Sequence, residues 1–281
     1  LNYNMGKMID GKALALDIQT EIRQEILKNK LRPSLAVILV GEDPASKLYV
    51  ELKKKACEKV GIDFHEYLLA KDTDQTHVLE MIKFLNTDEH TDAILIQLPL
   101  PKQLNTNEII QTMNPAKDVD GFHPANVKNF LEKQSGFVPG LALGIFKLIE
   151  STGEDLQDKA ATIVAKSDIL YQPLAKLLND QGVTTTIVRP NDKKMKAKCL
   201  QADILVTAGG QAFFITADMV KDDAIVIDVG TNKIDNNYVV GDVDYSAVFS
   251  KVKYIAPVPG GVGPMTVAML LHNTVQLAKK K

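Results

Sequence analysis

Cysteine is almost missing from this 281-residue chain: there are two, Cys57 and Cys199, with no CxxC pair. That argues against a disulfide framework or a structural zinc site and points to a reducing compartment. No apolar run reaches the ~18 residues of a membrane span, and the first residues lack the hydrophobic core of a secretion signal. Neither sign of charge dominates: the formal net charge is −2, spread along the chain, which speaks against a nucleic-acid partner. The expectation is a soluble, cytoplasmic protein with no membrane or nucleic-acid partner. What is present is globular in character. Hydrophobic residues make up 45% of a length that suits about two domains.

Short apolar runs alternate with helical periodicities. Residues 34–40, 63–69, 93–98, 161–164, 185–188, 203–207 and 224–228 read as strands. Helices are predicted over 10–28, from Lys47 to a Gly61 stop with Ser46 as cap, over 75–85 and 109–112, from Leu174 after Pro173, and over 265–278. The alternation predicts an α/β chain with a doubly wound parallel sheet, which takes a nucleotide or other small ligand at its strand C-termini. A domain boundary is placed in the glycine-bearing stretch around 140–153, and the last helix is expected to pack back on the N-terminal domain.

Four stretches carry candidate chemistry. Tyr49 and Lys53 are four apart on a predicted helix, so a phenol and an amine share one face. They suit binding a planar substrate and moving a proton; the alternative is a solvated lysine face. Gln97 is the polar residue in an otherwise apolar strand, and a buried amide there needs a partner. It is either satisfied by backbone in the core or turned toward a ligand. Lys117–Pro124 holds two carboxylates and His123 between turn residues. Hydrogen bonding to a substrate suits it better than metal ligation, for which further ligands are wanting. Ala256–Thr266 carries three prolines and three glycines, a rigid non-helical loop that admits close backbone approach to a ligand.

Together these segments resemble the bifunctional methylenetetrahydrofolate dehydrogenase/methenyltetrahydrofolate cyclohydrolase family. The resemblance rests on Gly41–Ser46 leading to Tyr49 and Lys53, then Lys55–Cys57, Gln97–Pro101, Lys117–Pro124, Gly241–Val243 and Pro257–Thr266, in family order over nearly the whole chain. It implies a folate-binding catalytic domain, residues 8–144 plus 265–281, and a Rossmann-like NADP-binding domain, residues 145–264. It implies Lys53 as the acid/base group, with a pKa lowered by desolvation and by Lys54 and Lys55. Gln97 would orient Lys53, Tyr49 would pack on the folate ring, and Asp120 would bind the pterin. Leu98, Pro257, Gly260, Gly261 and Pro264 would line the folate pocket. Ala165, Lys166, Ser167, Arg189, Gly210 and Thr231 would meet NADP. A homodimer formed through the nucleotide domain is also implied. Short-chain dehydrogenases share a Tyr-x-x-x-Lys pair, but there it follows an N-terminal glycine-rich loop, which this chain lacks.

The departures from the family cluster on the cofactor side. Where the family has G-R-S-x-x-V-G-x-P, residues 165–173 read A-K-S-D-I-L-Y-Q-P. Both glycines are gone, and Tyr171 brings a ring to where phosphate meets a helix N-terminus. A His-Ser pair is replaced by Arg189-Pro190. The expectation is weakened, altered or lost NADP binding beside an intact folate side. A cyclohydrolase with little dehydrogenase activity and a non-catalytic folate-binding homologue remain as alternatives.

Overall fold

A computed structural model describes residues 6–133, 137–166, 168–234 and 238–280. In chain order the elements are β1 (Lys7–Met8), α1 (Gly11–Asn29), β2 (Ser34–Val40), α2 (Pro44–Val60), β3 (Asp63–Leu69), α3 (Gln75–Thr87), β4 (Ala93–Ile96), α4 (Thr106–Thr112), α5 (Pro124–Lys133) and α6 (Gly140–Glu150). There follow β5 (Ala160–Ala165), α7 (Asp168–Asn179), β6 (Thr184–Val188), α8 (Met195–Cys199), β7 (Ile204–Ala208), β8 (Ile225–Asp228), β9 (Asn232–Lys233), β10 (Val239–Val240), α9 (Tyr245–Val248), β11 (Tyr254–Ala256) and α10 (Val262–Ala278).

The chain forms two compact units, Leu16–Gly140 with Val267–Lys281, and Leu1–Ala15 with Leu141–Thr266. The resemblance assigns residues 8–15 to the folate domain. Here they go with the other unit, because Lys7 and Met8 pair in parallel with Tyr254 and Ile255.

The first unit is built on a parallel sheet ordered β3-β2-β4. Every residue of β2 is buried, and the two-residue period of a strand sends alternate side chains to opposite faces. Leu35, Val37 and Leu39 join Ile22 and Ile26 of α1, Val50 and Cys57 of α2, and Leu270, Leu271 and Val275 of α10. Ala36, Ile38 and Val40 join Val78, Ile82 and Leu85 of α3 and Ile109 of α4. The C-terminal helix therefore packs back into the N-terminal core. Each fully buried Leu or Ile contributes roughly 1.5–3 kcal/mol of transfer free energy.

The second unit holds a six-stranded parallel sheet ordered β1-β11-β8-β7-β5-β6. Its crossovers make it doubly wound, with the four strands β8, β7, β5 and β6 ending on one edge.

Three local expectations change. Asp43, not Ser46, caps α2: its Oδ2 accepts from Ser46 N at 2.8 Å and Ser46 Oγ at 3.0 Å, with Pro44 as the first helical residue. A carboxylate suits that end of the helix dipole, and proline loses no bond there. Helix α10 starts at Val262 rather than Met265, because Pro264 falls in the first turn, where a helix needs no N–H from it. Helix α7 starts at Asp168 and carries Pro173 inside it.

Candidate active site

Helix α2 carries Tyr49, Lys53 and Cys57 at successive turns, and Gly61 ends it in the left-handed conformation, φ 92°. Tyr49 stays exposed while Cys57 is fully buried, so the face runs from solvent to core with the half-buried Lys53 between them. Gln97 lies one residue past β4, 8% exposed. Its N–H donates to Ile38 O at 2.9 Å, its Nε2 to Leu98 O at 2.7 Å, and its Oε1 accepts from Lys53 Nζ at 2.8 Å. The amide dipole is thus fixed by the backbone so that its oxygen faces the amine. Leu98, after a strand that stops at Ile96, joins the next residue by a cis peptide to Pro99.

Asp120 comes from a strap beside β4. Ile94 N donates to Lys117 O at 2.7 Å and Val119 N to Ile94 O at 3.4 Å. Lys117 Nζ pins the strap by donating to Leu85 O at 2.7 Å and Asp88 O at 2.6 Å. The fully buried Asp118 accepts from Gly121 N at 3.0 Å, His123 N at 2.8 Å and Asn126 Nδ2 at 2.9 Å. From α10, Asn273 Nδ2 donates to Val119 O at 3.0 Å. Two strap residues that the sequence reading left without a role, Asp118 and Lys117, are therefore its anchors. His123 accepts at Nδ1 from Ala125 N at 3.1 Å, which leaves that nitrogen to the local turn. Asp120 and Leu98 line a small cleft with Ile96, Ile110 and Phe122.

Burial lowers the pKa of Lys53, opposed by the charges of Asp120 and Cys57. Desolvation is the cause, as the sequence suggested; the neighbouring lysines are not. Lys55 points to solvent and pairs with Glu51 at 3.3 Å. Burial raises Asp120 to about 6, with Lys53 opposing and Asp118 adding to the rise. Burial also pushes the Cys57 thiol up to about 12, so a neutral thiol lies under the amine. An amine pushed down and a carboxyl pushed up form an acid/base pair poised between their usual ranges.

The residues expected at the cofactor belong to the second unit. Ala165 ends β5, Arg189 follows β6, Gly210 follows β7 and Thr231 follows β8, so the fold brings them to one edge of the sheet. Ser167 lies outside the described residues. Lys166 is exposed just after β5. Tyr171 is buried in α7; its hydroxyl accepts from Arg189 Nη2 at 2.9 Å, and the guanidinium sits 5.0 Å from the ring centroid. Arg189 also donates to Lys166 O. Pro257, Gly260, Gly261 and Pro264 follow β11, and Gly261 N donates to Pro257 O at 2.8 Å.

Two family models match this chain: tetrahydrofolate dehydrogenase/cyclohydrolase, catalytic domain, over residues 9–120, and tetrahydrofolate dehydrogenase/cyclohydrolase, NAD(P)-binding domain, over residues 139–281. The bifunctional protein FolD of a Sulfurihydrogenibium species is 48% identical, with 98% of each chain covered. A crystal structure of the bifunctional enzyme FolD from Campylobacter jejuni is 42% identical with a TM-score of 0.93, covering 98% of this chain and 99% of that one. The FolD structure from Trypanosoma brucei, complexed with NADP cofactor and inhibitor, is 32% identical with a TM-score of 0.93 over 98% of both. On sequence, fold and the arrangement around Lys53, this chain belongs to the tetrahydrofolate dehydrogenase/cyclohydrolase family.

Proposed function

We propose that the chain oxidises 5,10-methylenetetrahydrofolate to 5,10-methenyltetrahydrofolate with NADP and hydrolyses the methenyl form to 10-formyltetrahydrofolate. The observation that carries this reading is Lys53: a lowered pKa, an oriented hydrogen bond to Gln97, and Asp120 close enough to interact electrostatically.

In the hydrolysis, water adds to the methenyl carbon and gives up one proton; the adduct's hydroxyl then releases its own proton to solvent as the formyl C=O forms and the ring carbon–nitrogen bond breaks. Neutral Lys53 takes the proton, and its ammonium returns one to the departing nitrogen. Gln97 holds the amine in place for both transfers. Asp120 hydrogen-bonds the pterin amino and ring N–H groups, Tyr49 packs on the ring, and Leu98 lines the same cleft as Asp120.

The sheet edge of the second unit suits an anionic dinucleotide. Gly210 has φ +65°, and a Cβ there would stand 3.6 Å from Lys166 Nζ, so the backbone passes beside an exposed cation. Lys166, Arg189, Gly210 and Thr231 are the residues that would hold NADP, which when bound supplies the hydride acceptor. One observation favours a second reading, slower oxidation with weaker NADP binding: the Tyr171–Arg189 contact occupies the stretch that the family pattern named above fills with glycine.

Sheet edge β6 exposes Thr184, Thr186 and Ile187, and an exposed sheet edge is a template for a second copy, which supports a homodimer through this unit. Two buried free cysteines suit a reducing cytoplasm, and among the described residues no helix is long and apolar enough to cross a membrane.

Two assays on the purified chain test the proposal: NADP-dependent formation of the methenyl compound, and hydrolysis of added methenyl compound without NADP. Both activities are expected. Full hydrolysis beside slow oxidation that saturates only at high NADP selects the second reading, and absence of both activities rejects the first and the second.

A further inference from the structure

Two buried carboxylates in the second unit take no part in the folate chemistry. Asp242 is 0% exposed and Asp228 is 3% exposed. Asp242 Oδ2 accepts from Thr207 Oγ1 at 3.1 Å, Gly209 N at 2.6 Å and Gly210 N at 3.2 Å. Its Oδ1 accepts from Gln211 N at 3.0 Å and Asn232 Nδ2 at 3.0 Å. Asp228 Oδ1 accepts from Gly230 N at 2.9 Å and from the N–H of Asp242 itself at 3.0 Å, and its Oδ2 accepts from Val243 N at 2.9 Å.

A carboxylate offers about four lone-pair sites, so Asp242 is filled by the turn after β7 and by the start of β9. Bonds to a charged acceptor are about twice as strong as neutral ones. The fit is tight. A Cβ on Gly230 would stand 2.3 Å from Asp242 Oδ1, and one on Gly241 would stand 1.8 Å from Asp228 Oδ2. Only glycine lets the backbone approach the two acids this closely.

The turn held this way includes Gly210 and abuts Lys166, and the turn on Asp228 leads into Thr231. These are the residues assigned above to the cofactor. We propose that Asp242, itself held by Asp228, is the positioning residue of the dinucleotide site: it fixes the turn after β7 in the form that receives NADP. The inference rests on the NADP reading given above and adds a constraint to it. The N–H groups of Gly209, Gly210 and Gln211 point inward and are spent on Asp242. This turn therefore offers a phosphate no N–H from those three residues, and anion recognition falls to the cations at the ends of β5 and β6.

Asp242→Asn turns one acceptor oxygen into a donor facing other donors. Hydrogen exchange of the 207–211 amides is expected to speed up by about tenfold or more with no cofactor present. The KM for NADP is expected to rise by about tenfold or more, while methenyl hydrolysis stays within about twofold. Should Asp242→Asn fail to fold, Thr207→Val removes one of the five bonds and is expected to raise the KM about threefold with kcat unchanged. Unchanged exchange in the turn, an unchanged KM, or a uniform loss of both activities that tracks Tm overturns the inference. A wild-type chain that takes up no NADP refutes the cofactor reading instead, and the exchange measurement still decides whether Asp242 fixes the turn.

Discussion

At the residue scale the site depends on how two ionisable groups are held off their solution behaviour. Gln97 is held at its main-chain N–H by Ile38 O and at its side-chain Nε2 by Leu98 O, so Gln97→Ala leaves Lys53 without its acceptor. A loss of roughly 1–3 kcal/mol is expected, read as a fall of about five- to 150-fold in kcat for hydrolysis, with Tm little changed. Asp120 makes a sharper test. Its folded pKa of about 6 lies above the ordinary 3.8. A raised carboxyl pKa favours folding below the unfolded value and loses that contribution as pH climbs through the folded one. Wild type therefore carries a penalty of up to about 3 kcal/mol above pH 7 that Asp120→Asn relieves. The variant is expected to lose activity yet melt higher than wild type at pH 8, with the advantage gone at pH 4. An equal gap in Tm at both pH values contradicts the electrostatics described.

At the element scale, helix α2 sets the separation of phenol, amine and thiol, and its start depends on Asp43. Asp43→Ala removes an N-cap and is expected to cost about 1 kcal/mol, a fall of about 2–4 °C in Tm, with a larger fractional loss of hydrolysis because the turn carrying Tyr49 loosens. Much of this layer was legible from residue pattern. Strand β2 falls where its apolar run places it, because a run bounded by Pro33 and Gly41 leaves little freedom. The Tyr49/Lys53 face was legible from helical spacing alone. What escaped was non-local or local to a terminus. Strand β1 is two residues long and exists only through β11. Lys117 and Asn273 read as ordinary polar residues, because their partners are backbone groups far along the chain, and Asp118 does so because its partners appear only once the strap has turned at residues 121–126. The cap passed to Asp43 because proline is at ease in a first turn, which a cap search centred on Ser46 overlooks.

At the scale of the whole molecule, two units with separate cores carry two kinds of binding. The exposed β6 edge predicts a particle of twice the chain's mass by light scattering, and Ile187→Lys is expected to shift it toward monomer with hydrolysis retained. On the proposed function, one amine, desolvated and oriented, serves hydrolysis in a chain that also takes NADP. The most direct measurement is methenyl hydrolysis by Lys53→Met beside wild type, with circular dichroism and NADP titration as controls. A loss of about a hundredfold or more in kcat is expected, with the fold and NADP uptake unchanged. Hydrolysis by Lys53→Met at the wild-type rate contradicts it.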